Sequence, residues 1–484
     1  MEYRITDYQP EKLFHFFEEI SAIPRGSGNE KGISDYLVKF AEDRNLWVYR
    51  DEANNVIIKK AASEGAKSRE PVMLQGHIDM VCEKRAGVEH DFEKDGLDLQ
   101  IKDGNLTANG TTLGADNGVA VALMLMIMDD EDISHPALEC VFTTEEEVGL
   151  DGAKALDKSL LDAKIMINLD SETEGLATVS CAGGLRIKLE REIKREAAEG
   201  TLLSVKMEGL SGGHSGQDID KERQNADILM ARLLRQLMKE TDGKLVQFAG
   251  GTKDNAIPRE CEAVLIYTDE KEAEKAEELA CDLAGVYAEE LEQAEPAFEC
   301  EITSETNKTA EAIPEEAAKA MINAICLVPN GVQKRDMQMD GFVIVSSNLG
   351  IVRTDEEKLT MIISPRSSVA SLQEYSKERF NILAETFGFT VEYSGEYPGW
   401  SYKVDSRIRE VCKESYKELF GEDLKIAGIH AGLECGLFSD AIEGLDAIAI
   451  GPTIHNCHTP DEYLPLDSFE RFYEFLKDIL KRLA

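Results

Sequence analysis

The run Val72-Met73-Leu74-Gln75-Gly76-His77-Ile78-Asp79 constrains this chain most, because a strand-like apolar segment ends by delivering an imidazole with a carboxylate two residues further on. Four later segments repeat the pattern of a hydrophobic run closed by a metal-ligand type of side chain: Leu113-Gly114-Ala115-Asp116-Asn117-Gly118, Thr143-Thr144-Glu145-Glu146-Glu147, Ile165-Met166-Ile167-Asn168-Leu169-Asp170 and His455-Asn456-Cys457-His458-Thr459-Pro460. In open α/β sheets, sites form in the crevice at the carboxyl ends of strands, so these segments predict one common rim. A lone strand-terminal histidine is ordinarily a satisfied structural residue, and the triple glutamate by itself reads as a solvated loop. The conjunction of the segments shifts the balance toward a metal site.

Zinc takes nitrogen and oxygen ligands, and a catalytic zinc keeps one position open for water. The inventory suits a pair of ions, with His77 and Asp170 on one, Glu147 and His458 on the other, and Asp116 between them. Residues i and i+2 share a side of a strand, which places Asp79 behind His77, where it can accept a hydrogen bond from the far ring nitrogen and fix the tautomer. Zinc is the leading expectation, with cobalt or manganese as alternatives, since hard and borderline ligands tolerate several ions.

Composition narrows the partners. With 93 acidic against 53 basic residues and a net charge of −40, the chain is a poor ligand for nucleic acid or an anionic membrane, and no Lys/Arg cluster offers a local exception. The longest apolar run, Val119 to Met128, is too short to cross a bilayer, and Met1 to Asp7 lacks the pattern of a secretory signal. The ten cysteines form no C-x-x-C pair, which points to buried reduced thiols rather than a disulfide framework. A cytoplasmic enzyme is the expectation.

The 484 residues predict two domains. From Glu11 to Asp170, helical periodicity alternates with β-rich runs, an α/β pattern of a mostly parallel sheet flanked by helices, assigned to residues 1–183. Residues 184–397 carry long charged helices and an order of helix, strand, strand, helix that occurs twice, from Asn225 to Leu283 and from Glu315 to Glu385. An inserted, internally duplicated α+β domain follows from that order. Residues 398–484 then return to the first domain and bring His458 with them.

The sequence of H-x-D, G-A-D, E-E, a strand-terminal D and a late H-T-P resembles the co-catalytic zinc peptidase family that includes carboxypeptidase G, bacterial dipeptidases and succinyl-diaminopimelate desuccinylase. Gln75 to Cys82, Glu146 to Ala153 and Ala431 to Gly436 look like its aminoacyl-histidine dipeptidase branch. The resemblance spans essentially the whole chain and implies a dizinc dipeptidase, with β-alanyl-histidine among its substrates and an inserted domain acting as a lid. Counting back from Gly149 in the family pattern makes Glu147 the ligand and Glu146 the general base. It also implies that His214, in Gly212-Gly213-His214-Ser215-Gly216, donates to the oxyanion, that Arg366 binds a terminal carboxylate, and that Asn255 and Gly432 face the substrate. In many relatives the lid histidine comes from a neighbouring subunit, so monomer and homodimer both remain open. An N-acyl amino acid deacylase with the same metals and a non-catalytic metal-binding protein on this fold are the competing readings.

Overall fold

In the computed structural model, which describes residues 3–66, 70–337, 339 and 341–484, four strands run parallel and adjacent: Leu138–Thr143, Val72–His77, Ile165–Asn168 and Asp446–Ala449. All four are buried along their whole length, which is why they read as unbroken apolar runs rather than as alternations. The register sets His77 beside Thr143, and Asn168 beside both Gln75 and Ala449. The strands therefore stop near one line, and the next residues of each chain segment emerge together. Further strands complete this eight-stranded sheet at its margins, with Trp47–Arg50 and Val56–Lys60, paired antiparallel, on one side and Leu176–Cys181, antiparallel to Asp446–Ala449, followed by Lys425–Ile429 on the other.

The helix Ala115–Asp129 is apolar on every side, and each residue from Asn117 to Met128 is buried, as expected of a helix inside a core. Asp116 and Asn117 leave helical geometry, at φ −79°, ψ 107° and φ −114°, ψ 40°, so Asp116 sits on the turn before the regular helix. The last helix, Leu466–Leu483, buries Phe469, Phe472, Phe475, Leu476 and Ile479. Phe469 meets Phe14 and Phe17 edge-on, at ring separations of 5.5 and 6.1 Å, which ties the end of the chain to the helix Glu11–Ser21.

Two compact units result. The first comprises Met1–Cys181, Trp400–Gly428 and Leu433–Ala484, and the second Ala182–Gly399 with Ile429–Gly432. Keeping 398–484 whole, as the sequence suggests, overlooks the last of these segments. The Ala182 N–H lies 3.1 Å from the carbonyls of both Ile429 and Ala431, a backbone contact that hydropathy does not encode.

The second unit is built on an antiparallel sheet in which Lys244–Gly250 meets Val343–Thr354. The order helix, strand, strand, helix occurs in it twice: Ala226–Glu240, Lys244–Gly250, Cys261–Tyr267, Glu270–Leu291, and Glu315–Leu327, Val343–Thr354, Lys358–Ser367, Ala370–Phe387. The long edge strand Glu299–Ala312 escapes a reading from sequence because nearly every side chain on it is wet, leaving no alternation to detect.

One buried carboxylate in this unit carries a measurable cost. Asp227, in the first turn of Ala226–Glu240, is fully buried and its oxygens lack conventional hydrogen-bond partners; a Cβ at Gly250 would lie 1.6 Å from Oδ1. Burial pushes its pKa up to about 7, against the pull of the Cys261 thiol and the Arg353 charge. A folded-state value above the unfolded one means that the contribution is complete below about pH 4 and is lost as the pH rises through 7. The loss is at most about 4 kcal/mol. Asp227→Asn should therefore gain stability over the wild type progressively from pH 4 to 8, in denaturant midpoints measured across that range; a difference independent of pH contradicts the assignment.

Candidate metal centre

The seven candidate residues of the first unit converge at the sheet rim. His77 ends its strand, and its Nε2 lies 3.1 Å from Asp116 Oδ1 and 3.6 Å from Asp170 Oδ1. His458 Nε2 lies 3.2 Å from Asp116 Oδ2 and 3.1 Å from Glu147 Oε1. The ligand atoms of His77, Asp116 and Asp170 fall within 4.8 Å of one another, as do those of Asp116, Glu147 and His458. Asp116 belongs to both triads and offers a different oxygen to each.

These donors fit cations better than they fit one another. An imidazole nitrogen holds at most one proton, yet each Nε2 faces two carboxylate oxygens. Glu147 Oε1 is buried, and the one nitrogen it faces, His458 Nε2, is shared with Asp116. Burial disfavours a charged His77, but its hydrogen bonds to Asp116, Asp170 and Asp79 prevail and hold its pKa well above the ordinary value. Hydrogen bonds to Asp116 and Glu147 push His458 up to about 11 despite partial burial. Protons are thus drawn onto both histidines by surplus negative charge, and a pair of divalent cations with nitrogen and oxygen ligands answers the same demand.

Four groups hold this arrangement in place. Asp79 is fully buried; Oδ1 lies 3.3 Å from His77 Nδ1 and accepts from the Glu146 N–H at 3.2 Å, while Oδ2 accepts from the Glu147 N–H at 3.3 Å and from Ser27 Oγ at 2.8 Å. One carboxylate thereby fixes a histidine and the glutamate loop together. Asn117 donates to Asp170 Oδ1 at 2.9 Å. Glu462 accepts from the N–H groups of Leu113, Gly114 and Ala115 at 2.7, 2.9 and 2.8 Å, cradling the turn that carries Asp116. The fully buried Arg25 donates to the carbonyls of Ile78, Asp79 and Gly114, which joins the His77 and Asp116 loops. Sequence reading missed Arg25, Asn117 and Glu462; only the proximity of Asn117 to Asp116 and of Glu462 to His458 was available as a signal.

Glu146 stands beside the triads, in reach of a cluster with His77 and Glu147. Burial raises its pKa well above the usual carboxylate range, and the charges of Asp170, Glu434 and Glu147 add to that rise while His77 opposes it. Glu434 is itself buried, accepts from Gln75 and Thr143, and is pushed by burial to about 7. Cys457 also lies near Asp116 and Glu172, where burial and those carboxylates push its thiol pKa up and keep it protonated.

In the second unit, Gly213–His214 pairs with Ala256–Ile257, and the Ser215 N–H donates to the Asn255 carbonyl at 2.8 Å. His214 Nδ1 accepts from the N–H groups of Gly216 and Gln217, both at 3.1 Å. The ring proton is therefore on Nε2, and burial together with the Arg366 charge lowers the pKa, so His214 is a neutral Nε2–H donor. Arg366 donates to the Tyr397 hydroxyl at 2.8 Å, Gly432 packs against the Tyr397 ring, and the Asn255 side chain is exposed.

Residues 73–482 match the family described as peptidase family M20/M25/M40. The cytosol non-specific dipeptidase of Escherichia coli (strain K12) is 35% identical over 481 residues, covering 99% of each chain. The crystal structure of aminoacylhistidine dipeptidase from Vibrio alginolyticus superposes with a TM-score of 0.93 at 35% identity, covering 99% of this chain and 98% of that one. Aminopeptidase PepT from Bacillus cereus shares the fold, with a TM-score of 0.57 at 16% identity over 99% of both chains.

If Glu462 holds the Asp116 turn, Glu462→Ala should release the N–H groups it cradles and weaken metal binding about 10–100-fold, as loss of a supporting partner does elsewhere. Metal content after dialysis against a graded chelator checks this, with far-ultraviolet circular dichroism as the control for folding.

Proposed function

The chain belongs to peptidase family M20/M25/M40, and from that premise we propose that it is a dinuclear metallo-dipeptidase of broad specificity, with Xaa-His dipeptides including β-alanyl-histidine among its substrates. The observation that carries the proposal is the Asp116 carboxylate, whose two oxygens serve two histidines while the buried Glu147 Oε1 faces the same His458 nitrogen that Asp116 does. His77, Asp170, Glu147 and His458, with Asp116 shared, are the proposed ligands, and zinc suits them best. Divalent cations held there polarise a carbonyl and acidify water near neutral pH.

The protein's own groups do the rest. Glu146 takes the proton of the attacking water and returns it to the leaving amine; its raised pKa suits a group that must hold a proton between those events. Asp79 keeps the loop of Glu146 and Glu147 in register with His77. In the second unit, His214 is assigned the Nε2–H that stabilises the developing oxyanion, and Arg366 the bidentate grip on the terminal carboxylate of the dipeptide. Asn255 and Gly432 are assigned to substrate binding on the family resemblance. The name of the Escherichia coli relative, a cytosol dipeptidase, supports a cytosolic setting.

Hydrolysis of a panel containing several dipeptides, β-alanyl-histidine and an N-acyl amino acid, by metal-depleted protein given back defined ions, tests the substrate class. Cleavage of the N-acyl amino acid alone transfers the chain to the deacylases. Glu146→Gln should retain both metals and lower kcat by about 10²–10⁴-fold; full activity with that substitution refutes the general-base assignment.

A further inference from the structure

We propose that Tyr397 is a positioning residue that aims the Arg366 guanidinium at the free carboxylate of the substrate, an inference that rests on the dipeptidase reading above. Arg366 stands on the strand Lys358–Ser367, opposite Ser346 on one side and Gly184 on the other. Its Nη1 donates to the Tyr397 hydroxyl at 2.8 Å. Its Nε is buried without a hydrogen-bond partner, and among the described residues no carboxylate stands within ion-pair distance of the guanidinium. In a chain of net charge −40, a half-buried arginine left without an acid is an anion site in waiting.

The geometry says which edge is available. A guanidinium offers a fork through Nε and Nη2 that matches a carboxylate, and with Nη1 engaged by the tyrosine that fork carries no hydrogen bond among the described residues. Tyr397 is itself held tightly. It ends the strand Thr390–Tyr397 and pairs with Gly184, where a Cβ would lie 2.8 Å from the phenol oxygen; at Gly432 a Cβ would lie 2.9 Å from ring atom Cε2. Both separations are closer than real Cβ contacts, so the two glycines are the space the ring occupies. This gives Gly432 a second role, as the floor against which the tyrosine rests.

The two histidines nearest Arg366 add no charge, and the carboxylate of Asp218 is engaged by the His214 N–H and by Lys221. His430 bonds Ser346 Oγ through Nε2 at 2.7 Å, and burial together with the Arg366 charge lowers its pKa to about 3, which keeps it neutral. His214 feels the same positive charge and is neutral as well. Arg366 is therefore the cation of this cluster, and its orientation decides what the cluster binds.

Tyr397→Phe keeps the ring packed between the glycines and deletes only the hydroxyl. Zinc-loaded protein carrying Glu146→Gln, so that turnover does not intervene, is titrated calorimetrically with a dipeptide as the free acid and as its carboxyl-terminal amide. Adding Tyr397→Phe should weaken binding of the acid about tenfold and leave binding of the amide within about twofold, so that the preference for the acid collapses. Arg366→Lys should abolish the preference with either residue at 397. An unchanged preference overturns the inference, as does equal weakening of acid and amide, which marks a packing role, or a parent protein with no preference for the acid. The hydrolysis panel is scored separately: a preference that depends on Tyr397 in a protein without dipeptidase activity refutes the catalytic reading and leaves the carboxylate clamp standing.

Discussion

Everything in the first unit turns on a surplus of negative charge at one sheet rim, concentrated on the shared carboxylate of Asp116. Asp116, Asp170 and Glu147 crowd around two imidazoles, and neither imidazole nitrogen can satisfy both oxygens that face it. Packing such groups without a cation would leave buried acceptors unpaired, which costs far more than the few contacts among them return. The rim is thus built for cations before any chemistry is considered. Glu146 stands beside the triads as a buried carboxyl whose proton affinity is raised by burial and further by the charges of Asp170, Glu434 and Glu147.

The supporting groups show how a loop-borne site is made rigid. Arg25 and Glu462 are buried and opposite in charge, and each gathers backbone groups rather than side chains: Arg25 takes three carbonyls, and Glu462 takes consecutive N–H groups. Between them they hold the turn before the helix Ala115–Asp129, whose apolar body is locked into the core. Asp79 does the same for the glutamate loop. Placement of ligands by buried side chains bonded to backbone leaves little freedom for the site to relax when its occupant changes.

The second unit solves a different problem with the opposite polarity. His214 is stripped of any role as a base because two backbone N–H groups occupy Nδ1, which leaves a neutral donor at Nε2. Arg366, His214 and His430 form a cluster with one positive charge and two neutral rings in a strongly acidic protein. Such a group of hydrogen-bond donors contrasts with the carboxylate-rich rim of the first unit.

Much of this was legible from residues alone, and for physical reasons. Buried parallel strands must be apolar throughout, so Val72–His77, Leu138–Thr143 and Ile165–Asn168 announced themselves, and their ends announced His77, Glu147 and Asp170. The twofold order of helices and strands in the insert was visible for a similar reason, since amphipathic periods survive in sequence. The wet edge strand Glu299–Ala312 left no such period. The partnership of Arg25 with three carbonyls, of Glu462 with a turn more than three hundred residues away in the chain, and of Tyr397 with Arg366 and two glycines left none either. The amino-acid sequence by itself determined the kinds of element, the likeness to a peptidase family and which ligand types stand at strand ends. Tertiary structure alone decided the sharing of Asp116 between two histidines, the tautomer of His214 and the engagement of Arg366 Nη1 by Tyr397, because hydrogen-bond partners are properties of proximity, which a linear order does not record.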